Sequence, residues 1–373
     1  MTPADEYEHR DPFFAADAGI PEPRQLSDDR RHPRRETETM TDAPTATTQH
    51  SPLTDDQASW FQSTVDAIVS NVERVLLGKT HVVRLAVTAL LSEGHLLLED
   101  VPGTGKTSLA RALAESISGT SSRIQFTPDL LPGDITGVGV YDQRAGDFEF
   151  HQGPVFANVV LADEINRASP KTQSALLEVM EERQVSVDGV SHTLAAPFMV
   201  IATQNPVEQA GTYRLPEAQL DRFIMKTSIG YPDHTSMVRI LEGADHAAHE
   251  TVLPTVVMGD MVTTMSKLAR SVHVDPTIND YVSRLVDATR HADEVRLGVS
   301  VRGGLALIRT AKTYAAGLGR TYVVPDDVKT LAEPVLAHRI VLDPEAEFDG
   351  VTASSVVANV VLETPPPLDG TAV

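Results

Sequence analysis

Asp100-Val101-Pro102-Gly103-Thr104-Gly105-Lys106-Thr107 is the stretch that decides the fold. It follows the apolar run 95–99 and opens the helical pattern 108–117. A glycine-rich loop between a strand and a helix, closed by Lys-Thr, is the Walker A arrangement. Glycines stand where backbone must wrap closely around phosphate, and the next helix presents its positive end to the same anion. In this reading Lys106 is a point charge for the β- and γ-phosphates of ATP, and the Thr107 hydroxyl ligates Mg²⁺. The nucleotide-binding set is Pro102, Gly103, Thr104, Gly105, Lys106, Thr107 and Ser108. The strict pattern has glycine where Asp100 stands. An aspartate is tolerable there only if its carboxylate points away from the phosphates.

Downstream, Asn158-Val159-Val160-Leu161-Ala162 reads as a buried strand ending in Asp163-Glu164. An acidic pair at the carboxyl end of a strand sits at the rim where open α/β sheets bind ligands. Asp163 is the candidate for holding Mg²⁺, and Glu164 the candidate general base for the attacking water. Read alone, Glu164 also admits a helix-capping role as the lesser reading; downstream of the phosphate loop the catalytic reading takes over. The next strand, 198–203, delivers Gln204 and Asn205. Alone, Asn205-Pro206 is a turn dipeptide; beside the acidic strand, the amide becomes a candidate sensor of water and γ-phosphate. Arg222, between a short helix and a strand, is placed to enter a neighbouring subunit's site. Arg302, opening a helix later in the chain, is placed to reach the γ-phosphate from the lid side. For both arginines a solvated or structural role stays open on the residues alone.

Around these motifs, apolar runs at 95–99, 123–127, 158–163, 198–203 and 224–228 alternate with helical patterns, which predicts a mainly parallel sheet with helices on both faces. Order begins at Thr54, which forms a capping box with Gln57. Phe61, Val65, Ile68 and Val72 follow at helical spacing, with Gly78 as the stop and a second helix over 82–91. After Tyr231-Pro232 the pattern turns helical to about residue 341, clearest at 278–292 and 304–316, with Pro325-Asp326-Asp327 opening a further helix. The expected division is a disordered tail over 1–52, an α/β nucleotide-binding domain over 53–232, a helical lid over 233–342 and a C-terminal tail over 343–373. The first tail is polar and aperiodic. Phe13-Phe14 is its one aromatic pair, and Met40-Thr41-Asp42 reads as an alternative translation start.

Composition narrows the class. The 373 residues are 41% hydrophobic and 22% charged, enough for a real core and long enough for two domains. No run approaches the roughly 18 apolar residues of a membrane helix, and the polar start is no signal peptide. Cysteine is absent, which removes disulfides and thiolate chemistry and fits a cytoplasmic protein. A formal net charge of −21 counts against nucleic acid as substrate.

Several longer strings resemble the MoxR family of AAA+ ATPases: Leu97 to Gly103, Ile124-Gln125-Phe126-Thr127-Pro128-Asp129-Leu130-Leu131-Pro132, Leu161 to Ala168, Ala202-Thr203-Gln204-Asn205-Pro206 and Leu215 to Phe223. The resemblance covers residues 60–342. It implies a P-loop AAA+ three-layer sandwich with a small helical lid, with Asn205 as sensor 1, Arg222 as arginine finger and Arg302 as sensor 2. Family members usually carry proline before the last arginine and alanine after it; here Val301 and Gly303 stand there. An aspartate at position 100 is common in the family. Residues 128–156 correspond to the helix-2 insert, read as a β-hairpin around 148–150, and 184–194 to a hairpin turning at Asp188-Gly189 before sensor 1. Both are expected to face a ring pore and grip a client.

The resemblance further implies a homo-oligomeric ring, usually a hexamer, and a partner with a von Willebrand factor A domain. It points to a chaperone-like role that often assists metal or cofactor insertion. A chelatase-type motor subunit and a nucleic-acid motor stay open as alternatives; the client is not legible.

Overall fold

The alternating pattern folds into a five-stranded sheet in which every pairing is parallel. The computed structural model describes residues 52–144, 146–205, 213, 215–243 and 253–367. Phe13, Phe14, Met40 and all of the expected N-terminal tail but residue 52 lie outside the described residues, as does Pro206.

Two helices lead in, α1 (Asp55–Glu73) and α2 (Thr80–Leu91). Thr54 caps α1 with the expected box: Gln57 N–H donates to Thr54 Oγ1 and Thr54 N–H to Gln57 Oε1. Phe61, Val65, Ile68 and Val72 are its buried stripe. The helix ends at Glu73, before Gly78, whose φ of +71° turns the link to α2.

The sheet domain then runs β1 (Leu96–Glu99), α3 (Lys106–Ser116), β2 (Ser121–Gln125), α4 (Pro132–Thr136) and the hairpin β3 (Gly137–Asp142) and β4 (Asp147–Gln152). It continues through β5 (Val159–Asp163), α5 (Pro170–Glu182), the hairpin β6 (Gln184–Val187) and β7 (Val190–Thr193), β8 (Met199–Gln204), α6 (Glu217–Leu220) and β9 (Met225–Thr227). Both expected hairpins are present. Strand order is β2-β5-β8-β1-β9.

Side chains alternate across the sheet. Leu96, Leu98, Leu161 and Ile201 join a core shared with α1, α2 and α3, whereas Leu97, Val160, Ala162 and Val200 join a second core with α5. Both faces are covered, so the central strands read as unbroken apolar runs rather than as alternating ones.

Beyond the sheet come α7 (His234–Gly243), α8 (Gly259–Arg270), α9 (Pro276–His291), β10 (Val295–Leu297), α10 (Val301–Gly317), α11 (Pro325–Leu336), β11 (Val341–Leu342), α12 (Pro344–Phe348) and α13 (Ala353–Glu363). The expected tail from residue 343 thus contains two helices. Thr352 caps α13, accepting from Ser355 N–H at 3.1 Å, and Val356, Val357 and Val360 pack into the first core. Its valine-rich sequence has low helix propensity and hides the element until that core is in place. Among the described residues no helix is long and apolar enough to cross a membrane.

Candidate functional site

The phosphate loop leaves the carboxyl end of β1, in the middle of the sheet's binding edge. Gly103 and Gly105 have φ of +83° and +97°, with Thr104 between them outside that region. Such alternation makes a concave run of backbone suited to an anion. A Cβ on Gly103 would meet nothing within 4 Å, so that side of the loop is open; on Gly105 it would stand 2.7 Å from Leu76 Cδ1. No side chain caps the first turn of α3, which carries Lys106, Thr107 and Ser108. Lys106 Nζ donates to the carbonyls of Asp100 and Val101, both at 3.1 Å, and so lies back across the loop. Asp100 is buried and its carboxylate accepts the N–H groups of Ile229 and Gly230. It points away from the open side and pins the loop to the segment after β9, so the missing glycine does no harm.

The acidic pair stands two strands away. The register Ala162↔Ala202 and Leu97↔Ala202 puts the end of β5 level with the end of β1. At strand spacings of about 4.8 Å the two ends are on the order of 10 Å apart. Buried Asp163 accepts a hydrogen bond from Thr203 Oγ1 at 2.6 Å and pairs with Arg123 Nη2 at 2.5 Å. Glu164 takes the left-handed conformation, φ +57°, which aims it off the strand axis. A non-glycine residue there is strained by about 1–3 kcal/mol and needs its surroundings to hold it. Its N–H is fixed by Thr203 Oγ1 at 2.9 Å, and its carboxylate by Gln125 Nε2 at 2.9 Å and Arg167 Nη1 at 2.8 Å. Asn205, buried, follows directly on β8. Hard oxygen donors from Asp163 and Thr107 suit Mg²⁺, and the Arg123 guanidinium already shows a cation held by Asp163.

Arg222 and Arg302 are elsewhere. Ile224 N–H donates to His95 O, and His95 Nε2 bonds Met180 O at 3.0 Å. Residues 180–182 and 222–224 therefore lie at the amino edge of β1, the end opposite Lys106. There Arg222 Nη2 is 2.9 Å from Glu181 Oε2, and Arg302 Nη2 is 3.1 Å from Glu181 Oε1. Arg302, expected to reach a γ-phosphate from the lid side, opens α10 beside Arg222, at the edge of the sheet away from Lys106 of its own chain.

Residues 95–225 match the family described as ATPase family associated with various cellular activities (AAA), and residues 287–360 match the AAA lid domain. Chaperone MoxR1 of Mycobacterium tuberculosis is 42% identical over 81% of this chain and 81% of its own length. The chain belongs to the MoxR family of AAA+ ATPases. Protein MoxR of Paracoccus denitrificans is 33% identical over 73% of this chain and 87% of its own. The uncharacterized protein YeaC of Bacillus subtilis is 48% identical over 82% and 95%. A crystal structure of a candidate ATPase from Cytophaga hutchinsonii superposes with a TM-score of 0.79 at 36% identity, covering 84% of this chain and 98% of that one.

Within this MoxR-type site, sequence reading passes over Arg123, Gln125, Arg167 and Thr203. Arg123 and Gln125 share one face of β2 by their spacing of two, and Gln125 pairs in register with Asp163. That alternation was the available signal. Gly303 is explained by the lid: a Cβ there would lie 2.4 Å from Val299 Cγ1 and 2.9 Å from Arg339 Cδ. The buried Arg339 side chain crosses beneath to Asp221 Oδ1 at 2.7 Å and to Phe223 O at 2.8 Å. It locks the residues on either side of Arg222 and leaves that one side chain projecting.

Proposed function

We propose that this chain hydrolyses ATP in a homo-oligomeric ring, a hexamer, and spends the energy on remodelling a protein partner. The observation that carries this reading is the separation within one subunit: Lys106, Asp163 and Glu164 stand at one edge of the sheet, Arg222 and Arg302 at the other. In a head-to-tail ring the second edge of each subunit meets the first edge of the next, so one complete site draws on two chains.

In this reading Lys106 and the amides of residues 102–108 bind the triphosphate. Asp163 and the Thr107 hydroxyl hold Mg²⁺, which offsets phosphate charge when bound. Glu164 takes the proton of the attacking water, after its carboxylate turns from Gln125 and Arg167 toward that water. Asn205 orients the water, and the neighbour's Arg222 and Arg302 stabilise the charge that develops on the transferred group.

Support for a protein client comes from the β3–β4 hairpin, which exposes Val138, Val140, Tyr141 and Phe148, and from the name of the relative Chaperone MoxR1. A von Willebrand factor A domain protein as partner, assistance to metal or cofactor insertion, and a cytoplasmic setting belong to the same reading. Two measurements test it. Glu164→Gln with ATP sediments as a hexamer; a monomer under saturating ATP sinks the ring. Turnover rises when permanently unfolded casein is added, and Phe148→Ser abolishes that rise. An unresponsive wild-type protein argues against remodelling.

A further inference from the structure

Arg222, Glu181 and Arg302 come from three separate elements: the turn before β9, the last turn of α5 and the first turn of α10. One carboxylate serves both guanidiniums, Oε2 at 2.9 Å from Arg222 and Oε1 at 3.1 Å from Arg302. Two arginines side by side repel each other, and the charge between them is what allows the close approach.

The charges are placed against their helices. Glu181 is an acid at the carboxyl end of α5, and Arg302 a base at the amino end of α10, each the sign that the helix dipole disfavours. The pairs are also poor stabilisers, since the three side chains are 28%, 39% and 50% exposed for Arg222, Glu181 and Arg302, and such pairs contribute little to folding. The edge gathers further cations that act on Arg309: Arg183, Arg270 and Arg302, with Glu93 among them. On a chain of net charge −21 this edge is suited to meet an anion.

We propose that Glu181 is a positioning residue: it holds Arg222 and Arg302 together as a fork, so that one phosphate group of the neighbouring subunit meets both guanidiniums. Arg339 and the buried Phe223 fix the backbone around Arg222, and Ser300 caps α10 just before Arg302. What those anchors leave open is the direction of the two long side chains. Glu181 sets it. This inference rests on the reading of Arg222 as a residue that acts in trans.

The test compares Glu181→Gln, which keeps shape and removes charge, with Arg222→Ala in the full-length chain. Glu181→Gln is expected to lower kcat by about 10–100-fold, as loss of a supporting partner does elsewhere. KM for ATP and the melting temperature stay within error of wild type. Mixing Glu181→Gln with Glu164→Gln subunits restores activity, because an intact Arg222–Glu181–Arg302 group then faces an intact Glu164. Glu181→Gln slows the Arg222→Ala background by less than it slows the wild type, because only Arg302 is then left to position. Wild-type turnover by Glu181→Gln beside a slow Arg222→Ala overturns the role of Glu181 and leaves the arginine reading standing. So does a loss that is matched by a lower melting temperature or is not restored by mixing. Wild-type turnover by Arg222→Ala removes both at once.

Discussion

Thr203 donates its hydroxyl hydrogen to Oδ1 of Asp163 across 2.6 Å. The Thr203 hydroxyl oxygen in turn accepts the N–H of Glu164 at 2.9 Å, so one fully buried hydroxyl fixes both members of the acidic pair. Thr203→Val keeps the shape and strands both partners. It is expected to lower stability by about 1–3 kcal/mol and to reduce turnover, whereas Thr203→Ser retains both. Equal turnover in the valine and serine variants would show that the acidic pair needs no such tether.

Lys106 and Glu164 separate binding from chemistry. Lys106→Ala is expected to abolish detectable nucleotide binding by calorimetry, since it removes the cation lying across the loop. Glu164→Gln should bind ATP as wild type and turn it over about 10²–10⁴-fold more slowly. Loss of binding in Glu164→Gln would move that residue from the base to the binding set.

Two neighbouring glycines in α10 should respond in opposite directions. Gly303→Ala drives a methyl group to 2.4 Å from Val299 and 2.9 Å from Arg339, and overpacking of this kind costs about 1–3 kcal/mol. At Gly304 the nearest atom, Val286 Cγ2, is 3.4 Å away, and alanine is the better helix former by about 1 kcal/mol. Calorimetric melting should fall for the first variant and hold or rise for the second. Since Arg339 also carries Asp221, Gly303→Ala should slow turnover as well.

Acid should weaken the fold through His95. Burial pushes its pKa from 6.5 down to about 4, with Arg183 and Arg309 adding to the shift and the Met180 carbonyl opposing it. His338 is lowered by burial too. The folded state resists a proton that the unfolded chain accepts. Stability from His95 is therefore fully present above pH 6.5 and is lost as pH falls through about 4; at about 1.4 kcal/mol per unit this amounts to roughly 3 kcal/mol. Denaturant midpoints across that window should drop for the wild type and flatten in His95→Gln. An unchanged slope in the variant would assign the acid sensitivity to other groups.

How far the sequence could be read depended on whether neighbours in the chain are neighbours in space. The phosphate loop and the acidic strand are contiguous, so their glycines, lysine and carboxylates declare themselves in order. Asp100 was readable as an exception but not as a solution, because its partners Ile229 and Gly230 are about 130 residues away. Thr203, Gln125 and Arg123 reach the acidic pair only through strand order, which places β5 between β2 and β8. For Arg302 the chain declares a lid helix but not the sheet edge on which that helix starts, which depends on contacts with α5 far away in sequence. α13 was hidden by its valines, whose burial rather than propensity makes the helix.

A site shared between two chains can be rebuilt by mixing two inactive variants. Arg222→Ala keeps Lys106, Asp163 and Glu164, and Glu164→Gln keeps Arg222. Each alone should be slow, Arg222→Ala by a factor on the order of 10³. Combined at equal concentration and allowed to exchange subunits, they should recover turnover well above the sum of the two, since some interfaces pair an intact Arg222 with an intact Glu164. Specific activity of the wild type should also rise with protein concentration as rings assemble. Full-rate turnover by a dilute wild-type sample shown to be monomeric, with no recovery on mixing, would contradict the shared site.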